Sequence, residues 1–118
     1  MLLWWLADDR ALSPTARDAI ADGDNEVVVS AATAWEIAIK RALGRLEAPD
    51  DLTSALVTND FRALAIDFRH AASAGVLPPH HHDPFDRMLV AQAQVEGLTL
   101  VTADARIGAY PVAVMAAS

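Results

Sequence analysis

Asp83-Pro84-Phe85-Asp86-Arg87-Met88-Leu89-Val90-Ala91-Gln92-Ala93-Gln94-Val95-Glu96-Gly97-Leu98-Thr99-Leu100-Val101-Thr102-Ala103-Asp104 decides how this chain folds. Asp83 followed by Pro84 is a cap and first-turn pair, because a carboxylate accepts the free amides of a helix start and proline lacks the amide that would go unpaired there. The apolar spacing after it predicts a helix to about Glu96, and Gly97 stops it. Leu98 to Val101 is short and apolar, the mark of a buried strand, and Asp104 stands just past its exit. A helix delivered straight into a buried strand is the unit from which parallel α/β sheets are built.

The same alternation continues outward. Glu26-Val27-Val28-Val29 predicts a strand, and Ser30 caps a long helix from about Ala31 to Arg45. Asp50-Asp51 opens a helix to about Asn59, Ala63 to Ile66 is a second strand, and His70 to Gly75 a short helix. A helical turn ending near Tyr110 and a strand from Val112 to Met115 close the chain. At the start, Met1 to Ala7 is a helix fragment whose Leu2, Trp4, Trp5 and Leu6 supply core or a partner interface, and Ser13-Pro14 starts a helix through about Ala21. No linker or repeat interrupts the 118 residues, so we expect one α/β domain, residues 1 to 118.

Composition narrows the function. Hydrophobic residues make up 53% and charged residues 21%, enough apolar surface for a core. The absence of cysteine removes thiolate zinc sites and cysteine nucleophiles, and with no export signal it fits a cytoplasmic protein. The apolar run at Met1 is far shorter than the roughly 20 residues that span a bilayer, so no membrane role is expected. A net charge of −7 argues against broad basic contact with nucleic acid, which leaves RNA contacts that are local or carried by a metal. It also suits a basic protein partner.

Parallel sheets place their ligand sites beyond the carboxyl ends of the strands, which singles out Asp104 and Glu36; a third carboxylate, Asp86, sits in the first turn of a helix. Each has an ordinary alternative: Glu36 as partner of Lys40, Asp86 as the reciprocal cap of Asp83, Asp104 as cap of the turn after it. Asp86 nevertheless shares a helix face with Leu89, Val90 and Ala93, an awkward place for an unpaired anion. A divalent ion taking hard oxygen ligands would neutralise all three and would lower the pKa of a water that attacks a phosphodiester. Lys40, Arg41 and Arg45 could steer an RNA backbone or simply suit the end of their helix, and Arg87 could hold phosphate or a carboxylate. His80-His81-His82 reads as structural or as support to a site, because three adjacent loop histidines cannot converge on one ion.

Three stretches resemble the PIN-domain toxins of the VapBC type: Val29 to Lys40 (VSAATAWEIAIK), His81 to Ala93 (HHDPFDRMLVAQA) and Leu100 to Asp104 (LVTAD). Trp4-Trp5-Leu6, Gly44-Arg45-Leu46 and Leu77-Pro78 extend the likeness over nearly the whole chain, and Asp83-Pro84-Phe85-Asp86-Arg87 is its most specific part. The resemblance implies a three-layer fold, a mainly parallel sheet flanked by helices, and a magnesium-dependent endoribonuclease in which manganese is possible. It carries Glu36, Asp86 and Asp104 over as metal ligands, with Lys40, Arg41 and Arg87 as weaker candidates for substrate contact. Its partners would be RNA, a VapB-type antitoxin and a second copy of the chain, in homodimers and toxin–antitoxin hetero-oligomers. The family's fourth acid lies at the end of a first, central strand just before the helix that here begins at Met1. We therefore expect that strand to be missing from this chain and to be encoded upstream of a misassigned start. The alternative is a truncated toxin that binds antitoxin without cutting RNA, and a third reading is an acidic globular domain in which the three carboxylates carry only stability.

Overall fold

A computed structural model describes residues 1–118. Helix α1 spans Leu2–Leu6 and α2 Pro14–Ala21, the latter capped by Ser13 Oγ, which accepts the Ala16 amide at 3.1 Å. Strand β1, Val28–Ser30, runs directly into α3, Ala31–Ala42, with Ser30 Oγ accepting the Ala32 amide at 3.0 Å. Asp51 caps α4, Leu52–Thr58, after which come β2, Arg62–Leu64, and α5, Phe68–Gly75. Helix α6 is Pro84–Glu96, β3 Leu100–Thr102, a 3-10 turn Ala105–Ala109, and β4 Val114–Ala116. No helix is long and apolar enough to cross a membrane.

The expected helices and their caps are present. Asp83 Oδ1 accepts the amides of Phe85 at 2.8 Å and Asp86 at 3.1 Å, and Gly97 ends α6 in the left-handed conformation at φ 67°. Two helix bounds differ from expectation. α3 stops at Ala42 rather than Arg45, because Gly44 takes φ 70° and turns the chain, and α5 begins at Phe68 because Asp67 caps it. The first, third and fourth strands pair about two residues later than their apolar runs suggested, and β2 slightly earlier. Runs such as Val27-Val28-Val29 are apolar throughout, so the partner strand sets the paired residues.

All pairing is parallel, and it falls into two separate ladders. Val28, Val29 and Ser30 pair with Arg62, Ala63 and Leu64, while Leu100, Val101 and Thr102 pair with Val114, Met115 and Ala116. β1 and β3 do not pair with each other, and each keeps one edge open. Between them lies a cavity of about 520 Å³ whose walls include Val28, Val29, Val101, Leu64 and Met115, with Trp5 of α1.

The split sheet divides the core. Leu12, Ala16 and Ala117 form one buried cluster, covered by Trp4, Trp5 and Ile20; Val90, Ile107 and Tyr110 form another, covered by Leu77, Leu100 and Val112. Trp4 and Trp5 thus serve the core, and the Trp5 indole donates to Asn59 Oδ1 at 3.0 Å. Only 17 of 118 residues are buried, although about half the sequence is apolar, so much of its apolar surface faces the cavity or solvent. A buried polar tie bridges the halves: Ser30 Oγ, at the end of β1, contacts Gln92 Oε1 on α6. It fixes α6 against β1, and with it the position of Asp86.

Candidate metal centre

Asp86 lies in the first turn of α6 and Asp104 in the turn after β3, so the two reach one another only through the packing of α6 on β3. Between them stands His81, from the loop that joins α5 to α6. Its Nε2 is 2.8 Å from Asp104 Oδ2, to which it donates, and 2.9 Å from Asp86 Oδ2. One ligand atom from each of the three residues lies within 4.8 Å of the others, a spacing that could hold a metal ion. The imidazole is sealed at 3% exposure and each carboxylate is about one quarter exposed, so the group opens to solvent on its acidic side.

The two carboxylates differ electrostatically. Asp104 is held well below the ordinary carboxylate range by the Arg106 guanidinium, which donates to both its oxygens, with help from the Arg106 amide and His81. Asp86 is pushed up, first by burial and then by the charge of Asp83, with Glu36 and Asp104 adding to it; His81 opposes the shift. The rise occurs at the N-terminus of a helix, where the dipole favours an anion, so burial and negative neighbours outweigh that help. An added cation would relieve Asp86, and the donor set of two carboxylate side chains with Glu36 close by fits a hard divalent ion.

Glu36 is brought near and stays outside the tight group. It is half-buried on α3, lines the same cavity as Asp86 and acts on it through charge, while Lys40 Nζ sits 3.3 Å from its Oε2. The Met1 amino group also reaches this rim, where burial lowers its pKa against the pull of Glu36. The ordinary readings hold alongside the site: Glu36 does pair with Lys40, and Asp104 does cap its turn. The Asp86 side chain returns no cap to Asp83.

Among the candidate cations, Arg41 is engaged by Asp50 and Lys40 by Glu36, both at the surface. Arg87 contacts no carboxylate. It donates to the carbonyls of Ala74 and Leu77 at 2.9 Å each and of Pro78 at 3.1 Å, which fastens the loop before α6. Sequence reasoning read the three histidines together as structural or as support to a site and could not tell which of them reaches it; His81 does. Of the three adjacent histidines, His82 is exposed and His80 rests edge-on against Tyr110 at 5.1 Å, so only His81 turns inward. Its place two residues before the capping Asp83 was the available signal, since its Nδ1 accepts the Asp83 amide at 3.1 Å.

Comparison with known proteins agrees with this geometry. A family pattern described as PIN domain matches residues 1–112. The chain is 33% identical over 110 residues to Ribonuclease VapC22 of Mycobacterium tuberculosis, an alignment that covers 91% of this chain and 84% of that protein. No solved structure matches. With this likeness over nearly its full length on an α/β frame, the chain belongs to the PIN domain family, among its VapC-type members.

Proposed function

We propose that this chain is a magnesium-dependent endoribonuclease toxin of a toxin–antitoxin system, with manganese able to replace magnesium. The observation that carries this reading is the His81–Asp86–Asp104 group, where burial and negative neighbours raise Asp86 against the opposing pull of His81. Asp86, Asp104 and Glu36 would hold the ion, Glu36 by releasing Lys40. When bound, such an ion supplies charge stabilisation at a scissile phosphate and lowers the pKa of an attacking water. Lys40 and Arg41 stand on the same helix as Glu36, and their surface ion pairs are weak enough to exchange for an RNA backbone. Arg87 contributes by shaping the loop rather than by touching substrate. A net charge of −7 keeps RNA contact local to this edge and suits an antitoxin of the VapB type that presents a basic segment to the acidic site. We place the protein in the cytoplasm, as a homodimer and in complexes with antitoxin.

A second reading rests on the cavity between β1 and β3, which adjoins Asp86 and Glu36. With the sheet divided there, the chain would bind antitoxin without cutting RNA. One experiment separates the two: cleavage of total bacterial RNA by the 118-residue chain with Mg2+, Mn2+ or chelator, beside Asp86→Asn and a form extended upstream of Met1. Metal-dependent cleavage by the chain, lost in Asp86→Asn, is the expected result. Cleavage by the extended form alone would give the activity to a longer protein. Silence from both, with antitoxin still bound, would establish the second reading.

A further inference from the structure

His81 is held at three points. Its backbone amide donates to the Tyr110 hydroxyl at 2.9 Å, and that hydroxyl donates in turn to the Pro78 carbonyl at 2.8 Å. Its Nδ1 accepts the Asp83 amide, which places the ring proton on Nε2, facing both carboxylates. Arg87 ties the preceding loop to α5 through the Ala74 and Leu77 carbonyls. A loop histidine fixed at its backbone and at both ring nitrogens has one orientation, and here that orientation sets a proton between two acids from different elements.

Resting on the reading of this group as a metal centre, we infer that His81 is its positioning residue. Two carboxylates this close repel, and without a donor between them Asp104 would be held by Arg106 alone while Asp86 turned toward solvent. The imidazole holds one oxygen of each in place before an ion arrives. Asp86 Oδ1 has no protein donor and is the oxygen left for the ion. His81 itself is not a ligand in this arrangement. Nδ1 already accepts an amide proton, and Nε2 carries the proton that the carboxylates use, so neither nitrogen offers a free lone pair. Binding through Nε2 would require loss of that proton and of both carboxylate contacts. Partners that orient metal ligands in this way typically set roughly 10–100-fold in affinity.

The test is Mn2+ binding by the full 118-residue chain, followed by electron paramagnetic resonance, for the native protein, His81→Phe and His81→Gln. Phenylalanine keeps the ring and removes the donor; glutamine keeps an amide donor. Thermal melting verifies that the variants fold. We expect affinity to fall roughly 10–100-fold in His81→Phe and to recover in part in His81→Gln. Pulsed spectra of native protein should show no directly coordinated nitrogen, a readout that needs no variant. Native affinity in a folded His81→Phe, or a coordinated nitrogen in the native chain, would overturn the positioning role alone. A native chain that takes up no Mn2+ would overturn the metal reading and this inference with it.

Discussion

Helix α6 carries a histidine between two carboxylates at each of its ends: Asp67–His70–Glu96 at the last turn and His81–Asp86–Asp104 at the first. Both histidines are sealed, at 0% and 3% exposure, and both place Nε2 within 2.9 Å of a carboxylate. Their charge balance differs. At the C-terminal end Arg69 reaches Asp67 at 2.8 Å and Glu96 at 3.0 Å, so one guanidinium serves both acids. Asp67 is lowered to about 2, chiefly by that guanidinium, and Glu96 is lowered chiefly by His70. His70 Nδ1 accepts the Asp67 amide at 3.1 Å and completes a capping box for α5. The polar groups there either cap α5 or tie it to α6 through Glu96. At the N-terminal end Arg106 serves only Asp104, and Asp86 is raised although the helix dipole favours it. A similar set of side chains is a clasp where one guanidinium reaches both acids, and a candidate centre where it reaches only one.

The sharpest break of this comparison is Asp86→Asn against Glu96→Gln. Loss of a ligand should cost at least the upper end of what a supporting partner costs, roughly 100-fold in Mn2+ affinity, whereas Glu96→Gln should leave affinity unchanged. Equal losses in both would show that the two ends are alike. Next in size is His70→Ala, which opens a cavity and strands the Asp67 amide; urea unfolding should report a loss of about 2–4 kcal/mol. A change near zero would remove His70 from the clasp.

A smaller effect of opposite sign is expected at Asp86 without metal. Its folded-state pKa lies above the unfolded one, so the native state holds its proton longer, and stability falls as pH rises through that interval. Asp86→Asn should therefore raise the melting temperature of the metal-free chain at neutral pH while weakening metal uptake. A lower melting temperature would mean that the carboxylate supports the fold instead. The smallest effect belongs to Asp67, depressed from an ordinary 3.8 to about 2. Its contribution is fully present above about pH 4 and is lost as pH falls toward 2. The melting curves of native protein and Asp67→Asn should accordingly converge at the acid end of that window.

The extent to which the sequence foretold these features follows the range of the forces involved. Ser13, Ser30, Asp51 and Asp83 announce helix starts because a cap is a contact with an amide two or three residues away. Gly97 announces a stop because it can take a positive φ. Alternating helix and apolar run gave the α/β class and parallel pairing, the strand exits pointed to Glu36 and Asp104, and the apolar face of its helix drew attention to Asp86. The paired residues of the strands, by contrast, depend on which partner lies alongside. Of the two readings of Arg87, the carboxylate contact is not what the structure shows: its donors go to carbonyls 9, 10 and 13 residues away, which nothing in Asp83-Pro84-Phe85-Asp86-Arg87 displays.

By itself, then, the sequence determined the helices, their caps, the parallel strands and which acids stand at strand exits, since those follow from contacts within a few residues and from apolar period. Tertiary structure alone decided that His81 rather than its neighbours turns inward, that Asp104 gains it across 23 residues, and that Glu36 stays a step away beside Lys40. It alone left Asp86 the uncompensated acid. Charge balance at a buried group is a sum over neighbours brought together from separate elements, and only packing assembles that sum.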